Sequence, residues 1–93
     1  MVIQQKDGKS KGSFFIEQDG DTKAEITYSK AGSDKIIIDH TEVSDELRGQ
    51  NIGNELVEHT VNYARDNELT VIPLCPYAKS VIERDESLKD VLK

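Results

Sequence analysis

The first half of the chain has the residue pattern of β-strands. Runs of β-branched and aromatic residues alternate with polar ones and are separated by Gly, Asp and Ser breaks. The alternation is clearest where Ala24, Ile26 and Tyr28 share one face. Asp19-Gly20 predicts a tight hairpin turn. We predict three or four strands in a meander, from candidates at residues 2–6, 13–18, 22–30 and 35–43.

The run at residues 35–43 is the most strand-like. It contains three consecutive isoleucines, Ile36 to Ile38. An unbroken β-branched run is typical of a strand that is covered on both faces, and we expect this strand to be covered in that way.

The pattern changes to that of a helix at Ile52. Apolar residues then recur at three- and four-residue spacing, while charged and amide side chains occupy the other positions. The helix should end near Asp66-Asn67. Its buried side is predicted to comprise Ile52, Leu56, Val57, Thr60, Val61, Tyr63 and Ala64.

A short strand and a second helix follow. Residues 70–74 read as a strand in which Pro73 marks an edge or the end of pairing. Pro76 suits the first turn of a helix that continues to about residue 85. Residues 87–93 fit either a short helix or a strand.

This order of elements predicts an α+β fold, resembling an α/β sandwich. The sheet should be mixed and mostly antiparallel. The strand–helix–strand unit between residues 35 and 74 requires parallel strands joined by a right-handed crossover. A chain of 93 residues with no linker-like segment predicts a single domain, residues 1–93.

Composition narrows the class of protein. The formal net charge of −6 argues against general nucleic-acid binding, which needs a basic face, and mildly favours a cationic partner. The single cysteine, Cys75, fits a reducing cytoplasm. The N-terminus lacks the apolar core of a signal peptide, and no run has the length of a membrane span, so we expect a cytoplasmic protein without membrane contact.

The segment "RGQNIG", residues 48–53, connects the isoleucine strand to the first helix. A helix start offers unbonded backbone N–H groups and the positive end of the helix dipole, glycines admit an oxygen-rich ligand, and Arg48 adds a charge. An ordinary glycine turn would have the same spacing. The sequence motifs of nucleoside-triphosphate and dinucleotide loops are both absent.

The wider segment "VSDELRGQNIGNELV" resembles the acyl-CoA-binding segment of the Gcn5-related N-acetyltransferase (GNAT) superfamily. Together with "VIPLCPYAKSVIERDE" it resembles a small single-domain group, the YjdJ-like acetyltransferases, over roughly residues 12–92. The resemblance implies a minimal GNAT fold and acetyl-CoA as cosubstrate, with an amine of a small molecule or protein as acceptor.

The resemblance also implies where the cofactor binds. The CoA pyrophosphate would contact the backbone N–H groups of residues 50–53, and the pantetheine arm would lie between the strands at 36–43 and 70–74. The implied cofactor-binding residues are Glu42, Val43, Arg48, Gly49, Gln50, Asn51, Ile52, Gly53, Asn54, Cys75, Tyr77 and Lys79. Typical members carry two N-terminal helices that shape the acceptor pocket. Their absence here implies an acceptor site that is open or completed by a partner.

Asn51 departs from the family pattern, which has a glycine at this position. Asparagine tolerates a left-handed backbone, so the bend can persist, and its side chain can cap the helix start. We expect CoA to bind less tightly than it would with glycine here.

Cys75 and His40 are the candidate catalytic residues. Cys75 ends the second parallel strand and could accept the acetyl group, with its pKa lowered by the helix start that follows. A buried structural cysteine is the alternative. His40, expected to face the crossover, could act as general base, with Asp39 and Glu42 as carboxylate alternatives.

Alternation puts His40 and Glu42 on one face of their strand, and Asp39 and Thr41 on the other. Tyr77 could protonate the departing CoA thiolate, and Tyr28 and Tyr63 remain alternatives for this acid. His59 reads as structural or solvent-facing. With two separate histidines and one cysteine, we expect no metal site.

Three functions fit these residues. The first is an N-acetyltransferase that uses acetyl-CoA. The second is a CoA-binding module or sensor without turnover, and the third is a protein-interaction domain that retains the fold. Internally capped N–H groups in the "RGQNIG" loop would favour the last.

Overall fold

The computed structural model describes residues 2–92. These residues form a five-stranded sheet, two α-helices and two short 3-10 helices. Their order is β1 (Gln4–Asp7), β2 (Lys11–Gln18), β3 (Asp21–Lys30), β4 (Lys35–Val43), a 3-10 turn (Asp45–Leu47), α1 (Ile52–Asp66), β5 (Thr70–Pro73), α2 (Pro76–Arg84) and a 3-10 helix (Glu86–Val91).

The sheet has the strand order β1-β2-β3-β4-β5. Neighbouring strands are antiparallel from β1 to β4, and β4 pairs with β5 in parallel. The predicted α+β class, the mixed sheet and the parallel strand–helix–strand unit are confirmed. The predicted hairpin turn is also present, with Asp19 and Gly20 both at positive φ.

The helices share one hydrophobic core with one face of the sheet. Ile36 and Ile38 are fully buried in that core, whereas Ile37 points to the opposite face and is only half-buried. The expectation that β4 is covered on both faces is therefore wrong. The β-branched run reflects strand propensity at Ile37 rather than burial there.

The first helix and the last segment can be compared directly with the sequence prediction. Helix α1 spans Ile52–Asp66, and its predicted apolar positions are buried, apart from a half-buried Tyr63. The undecided terminal segment is a 3-10 helix, after which Leu92 forms an isolated parallel bridge with Val71. Lys93 lies outside the described residues.

An irregularity in β4 decides which side chains face the helices. Tyr28 pairs with Ile38 but Thr27 pairs with His40, so Asp39 is an extra residue in β4. Such a bulge reverses the faces of the residues that follow it. Thr41, opposite buried Ile26, consequently lies on the helix side of the sheet.

The parallel strands separate partway along their length. Pairing of β4 with β5 ends at Ile38 and Pro73, although β4 continues to Val43. The backbone N–H groups of Leu74 and Cys75 both donate to the carbonyl of Ile38, at 3.1 Å. The chain thus turns away from β4 there and leaves a gap beside residues 39–43.

Candidate active site

The loop before α1 presents a series of unbonded backbone donors. Gly49 has φ +82° with no atom near the position of a Cβ, and Asn51 has a left-handed backbone at φ 62° and ψ 21°. Within residues 2–92, the N–H groups of residues 49–53 make no hydrogen bond of good geometry to the protein, although residues 48–51 form a turn. They are therefore available to an anionic ligand, in addition to the positive end of the helix dipole.

A cleft of about 370 Å³ lies beside these donors. Its walls come from the end of β4, the loop, the start of α1 and one side chain of α2. The lining residues are Thr41, Val43, Leu47, Arg48, Gly49, Asn51, Ile52, Gly53 and Tyr77. The cleft thus joins the helix start to the gap where β4 leaves β5.

Gly53 and Tyr77 pack together at the cleft. A Cβ on Gly53 would lie 2.8 Å from Cζ and 2.9 Å from Cε2 of Tyr77, and closer still to its hydroxyl oxygen. Only glycine leaves room for the ring. The Tyr77 hydroxyl donates to Oδ1 of Asn54 at 2.8 Å, and Nδ2 of Asn54 donates to Oδ1 of Asn51 at 2.7 Å. This chain of hydrogen bonds connects α2 with the loop.

Asn51 adopts the left-handed conformation that the sequence suggested, but it does not cap α1. Its side chain makes no capping hydrogen bond, since Oδ1 accepts from Asn54 instead. The predicted cap is therefore wrong. As a result, the loop N–H groups stay unbonded, contrary to what an internally capped loop would show.

Cys75 is the N-cap residue of α2 and is only 6% exposed. Its Sγ lies 3.5 Å from Oγ1 of Thr41, to which the thiol donates. Burial by itself raises the pKa of Cys75. Hydrogen bonding to the Thr41 hydroxyl and to backbone groups of Ala78, Tyr77 and Thr41 more than offsets burial, and the pKa lies below its ordinary value.

His40 does not face the crossover helices. The extra residue Asp39 turns it to the other face of the sheet, where it pairs with Thr27. There its Nε2 lies 2.9 Å from Oε1 of Glu42, and both side chains are mostly exposed. The predicted placement of His40 is wrong, because it assumes that side chains alternate regularly along β4. The bulge at Asp39 interrupts that alternation, and the sequence does not reveal the bulge.

The same bulge changes the grouping of β4 residues. His40 and Glu42 share a face, as predicted, but Asp39 does not share a face with Thr41. Asp39 instead accepts a 2.6 Å hydrogen bond from Ser29, on the face of β3 opposite Tyr28. Thr41 therefore occupies the position beside Cys75 that we expected of His40.

Most of the loop residues implied by the resemblance line the cleft, as do Val43 and Tyr77. Glu42 lines a second cleft of about 500 Å³ at the end of the β3–β4 ladder, which shares Thr41, Val43 and Arg48 with the first. Asn54 lines neither cleft, but its Oδ1 accepts the hydrogen bond from Tyr77, which lines the first. Gln50, Cys75 and Lys79 line neither cleft.

Thr41 and Leu47 line the cleft, but neither was predicted from the sequence to be a site residue. Leu47 is buried at the end of the 3-10 turn, where Ser44 accepts a hydrogen bond from the N–H of Glu46. A serine followed by two acidic residues is a signal for such a turn. No sequence signal marks Thr41, since its position depends on the bulge.

The cleft carries one cationic side chain, Arg48. Its Nε lies 3.1 Å from Oδ1 of Asp45, and both side chains are highly exposed. An exposed pair of this kind is weak, so Arg48 can exchange Asp45 for a bound anion at little cost. Among residues 2–92, no three His, Cys, Asp or Glu side chains are grouped as metal ligands. Nor is any helix in that range long and apolar enough to cross a membrane.

The cleft thus lies between the end of β4, beyond its pairing with β5, and the start of α1. The family model described as GCN5-related N-acetyl-transferase matches residues 13–91. The chain therefore belongs to the GCN5-related N-acetyltransferase family.

Solved structures agree with this assignment. A GCN5-like candidate N-acetyltransferase from Staphylococcus aureus is 41% identical, with a TM-score of 0.75 over 97% of this chain and 87% of that chain. The ribosomal-protein-S18-alanine N-acetyltransferase of Escherichia coli is 16% identical, with a TM-score of 0.67 over 84% of this chain and 53% of that chain.

Tetrahymena GCN5 is 7% identical, with a TM-score of 0.66 over 89% of this chain and 60% of that chain. At such identities the Escherichia coli and Tetrahymena structures show the fold alone. A search of curated proteins finds no significant match.

Proposed function

We propose that the protein is an acetyltransferase that uses acetyl-CoA as cosubstrate and transfers the acetyl group to an amine. The observation that carries the proposal is the row of unbonded N–H groups at residues 49–53, which borders the cleft of a chain of this family. Backbone N–H groups, the helix dipole and Arg48 all favour a pyrophosphate at this position.

The remaining parts of acetyl-CoA follow from this placement. With the pyrophosphate at the loop, the pantetheine arm extends into the gap where β4 runs on without β5. Unpaired backbone of a strand can hydrogen-bond the amides of the arm. The thioester then lies near the end of β5, where Cys75 begins α2.

We further propose that transfer proceeds through Cys75. The thiolate attacks the thioester carbonyl, so that a new C–S bond forms at Sγ while the bond to the CoA sulfur breaks. The departing CoA thiolate takes a proton from Tyr77, whose pKa burial raises, and the Tyr77 phenolate then regains a proton from solvent. The acceptor amine then attacks acetyl-Cys75, the C–S bond breaks, and the amine proton passes to solvent.

Binding can be tested with a matched pair of glycine variants. Gly49 and Gly20 both have φ +82° with no neighbouring atom at the Cβ position, but Gly20 lies in the β2–β3 turn, away from the cleft. Each change to alanine should destabilise the protein by about 1–2 kcal/mol, the cost of a left-handed backbone.

Only Gly49→Ala should weaken acetyl-CoA binding, as measured by titration calorimetry. If wild type gives no heat and no thermal shift with acetyl-CoA, the proposal is wrong. Equal weakening by the two variants would mean that loss of stability, rather than the loop, controls binding.

The covalent route has its own test. Mass spectrometry after incubation with acetyl-CoA should show one added acetyl group that Cys75→Ala abolishes. If Cys75→Ala instead keeps full transferase activity, transfer is direct. The general base would then come from the opposite face of β4, where His40 and Glu42 form their pair.

The alternative is a CoA-binding module without turnover. The exposed edge of the sheet at β1 favours this alternative, because no element among residues 2–92 covers that edge to enclose an acceptor. Incubation of protein and acetyl-CoA with peptides and polyamines separates the two functions. Acetylated product supports the enzyme, whereas saturable acetyl-CoA binding with no product at any acceptor supports the module. A cytoplasmic location, where acetyl-CoA is available, is part of the proposal.

A further inference from the structure

Cys75 reaches the cleft through one neighbouring side chain. The thiol itself lines neither cleft, but Thr41, 3.5 Å from Sγ, lines both of them. The contact spans β4 and the start of α2, two elements that separate at this point in the fold. Thr41 is half-buried, and its contact with Cys75 is the one hydrogen bond that its hydroxyl makes within residues 2–92.

We propose that Thr41 is a positioning residue for Cys75: its hydroxyl holds the thiol beside the cleft and then stabilises the thiolate. In the thiol form Sγ–H donates to Oγ1 of Thr41. After the proton leaves to solvent, the threonine O–H rotates and donates to the sulfur. A hydroxyl can reverse its role in this way because it is both donor and acceptor.

The geometry explains why a threonine, rather than the nearby histidine, has this position. The extra residue Asp39 puts Thr41 opposite Ile26 on the helix side and turns His40 away. A β-branched residue suits a strand, and its restricted χ1 keeps the hydroxyl directed at one neighbour. The inference rests on the proposed function only for its catalytic use, since the contact exists without acetyl-CoA.

Burial and hydrogen bonds, rather than charged side chains, shift the pKa of Cys75, which makes its titration easy to interpret. On α2, the phenol of Tyr77 is electrostatically coupled to Cys75. On β4, the ionisable side chains lie on the face of the sheet away from the sulfur; they are Asp39, His40 and Glu42. On α1, the neighbours of Tyr77 are the neutral Gly53 and Asn54.

The test is to measure the pKa of Cys75 in two variants. Cys75 is the sole cysteine of the chain, so protein labelled with ¹³C at cysteine Cβ gives one signal to follow against pH. Thr41→Val removes the hydroxyl at nearly constant shape. It should raise the midpoint by about one unit, a roughly tenfold loss of thiolate at neutral pH. Thr41→Ser keeps the hydroxyl and should titrate like wild type.

Two results would overturn the inference. One is an unchanged midpoint in Thr41→Val, and the other is an equal shift in both variants, which would point to altered shape rather than the hydroxyl. If Thr41→Val does not fold, Thr41→Ala replaces it, since it also lacks the hydroxyl.

The titration needs no acetyl-CoA and therefore stays separate from the proposed function. At saturating acetyl-CoA, Thr41→Val should also acetylate Cys75 roughly tenfold more slowly than Thr41→Ser. If wild type shows no acetylation at all, the covalent route is wrong while the titration still decides the role of Thr41.

Discussion

Replacement of Gly53 by alanine tests the contact that holds Tyr77 at the cleft. A Cβ at Gly53 would lie 2.8 Å from Cζ of Tyr77, where ordinary van der Waals contact begins near 3.4 Å. The clashing atoms are at the far end of a side chain that is 42% exposed. We therefore expect the ring to swing outward while α1 stays in place, breaking its hydrogen bond to Asn54.

The net change in stability is a balance of three effects. Alanine in place of glycine inside a helix favours folding by about 0.8–1 kcal/mol. Loss of the hydrogen bond from Tyr77 costs about 0.5–1.5 kcal/mol, and loss of ring contacts costs about 1 kcal/mol. Gly53→Ala should therefore destabilise the protein by about 0.5–1.5 kcal/mol in an otherwise wild-type chain.

The sign should reverse when the ring is absent. In a Tyr77→Ala background no atom opposes the new methyl group, and Gly53→Ala should stabilise the protein by about 0.8–1 kcal/mol. Thermal unfolding followed by circular dichroism resolves this difference, since about 1 kcal/mol shifts the Tm of a small domain by about 4–8 °C. The two changes together form a double-mutant cycle with a coupling of about 1.5–2.5 kcal/mol, the sum of the hydrogen bond and the ring contacts that are lost.

The same ΔΔG for Gly53→Ala in both backgrounds would refute this reasoning, because the ring would then not be what requires glycine. A functional readout accompanies the stability measurement. If Tyr77 protonates the departing CoA thiolate, Gly53→Ala should slow acetylation of Cys75 in the Tyr77-containing chain. In the Tyr77→Ala background it should leave the already reduced rate unchanged.

Three further predictions concern the loop, the acid limb of stability and His40. Asn51→Gly is expected to tighten acetyl-CoA binding in calorimetry by removing a side chain from the cleft; weaker binding would identify Asn51 as a ligand contact. A hydrogen bond from Tyr28, opposed by burial, lowers the pKa of Asp7. The ionised Asp7 carboxylate therefore stabilises the protein fully above the ordinary pKa of an aspartate, and this stabilisation is lost as pH falls through the lowered pKa. Asp7→Asn should therefore reduce Tm near neutral pH and make Tm fall less as the pH is lowered. A decrease of Tm in acid equal to that of wild type would contradict this. His40→Gln should leave the pKa of Cys75 unaltered in the ¹³C titration; a shift would place His40 closer to the thiol than the bulge allows.

Local patterns in the sequence were sufficient to predict the elements and the position of the loop. Helix α1 begins and ends where the 3.6-residue period begins and ends, because that period records which side of the helix is buried. The Asp19-Gly20 turn and the first-turn position of Pro76 are likewise local, since each depends on the backbone preference of one or two residues. The resemblance to the GNAT superfamily is confirmed by the family assignment, whereas the YjdJ-like group stays a prediction.

Tertiary structure alone decided which side chains meet at the site. One extra residue, Asp39, reverses the faces of β4, and neither composition nor alternation reveals it, because a bulge is a property of the pairing of two strands. For that reason Thr41, and not His40, lies beside Cys75. The requirement for glycine at position 53 likewise depends on a tyrosine ring from another helix. The sequence determined the position of the loop before α1, and the register between β3 and β4 determined which side chains face the thiol.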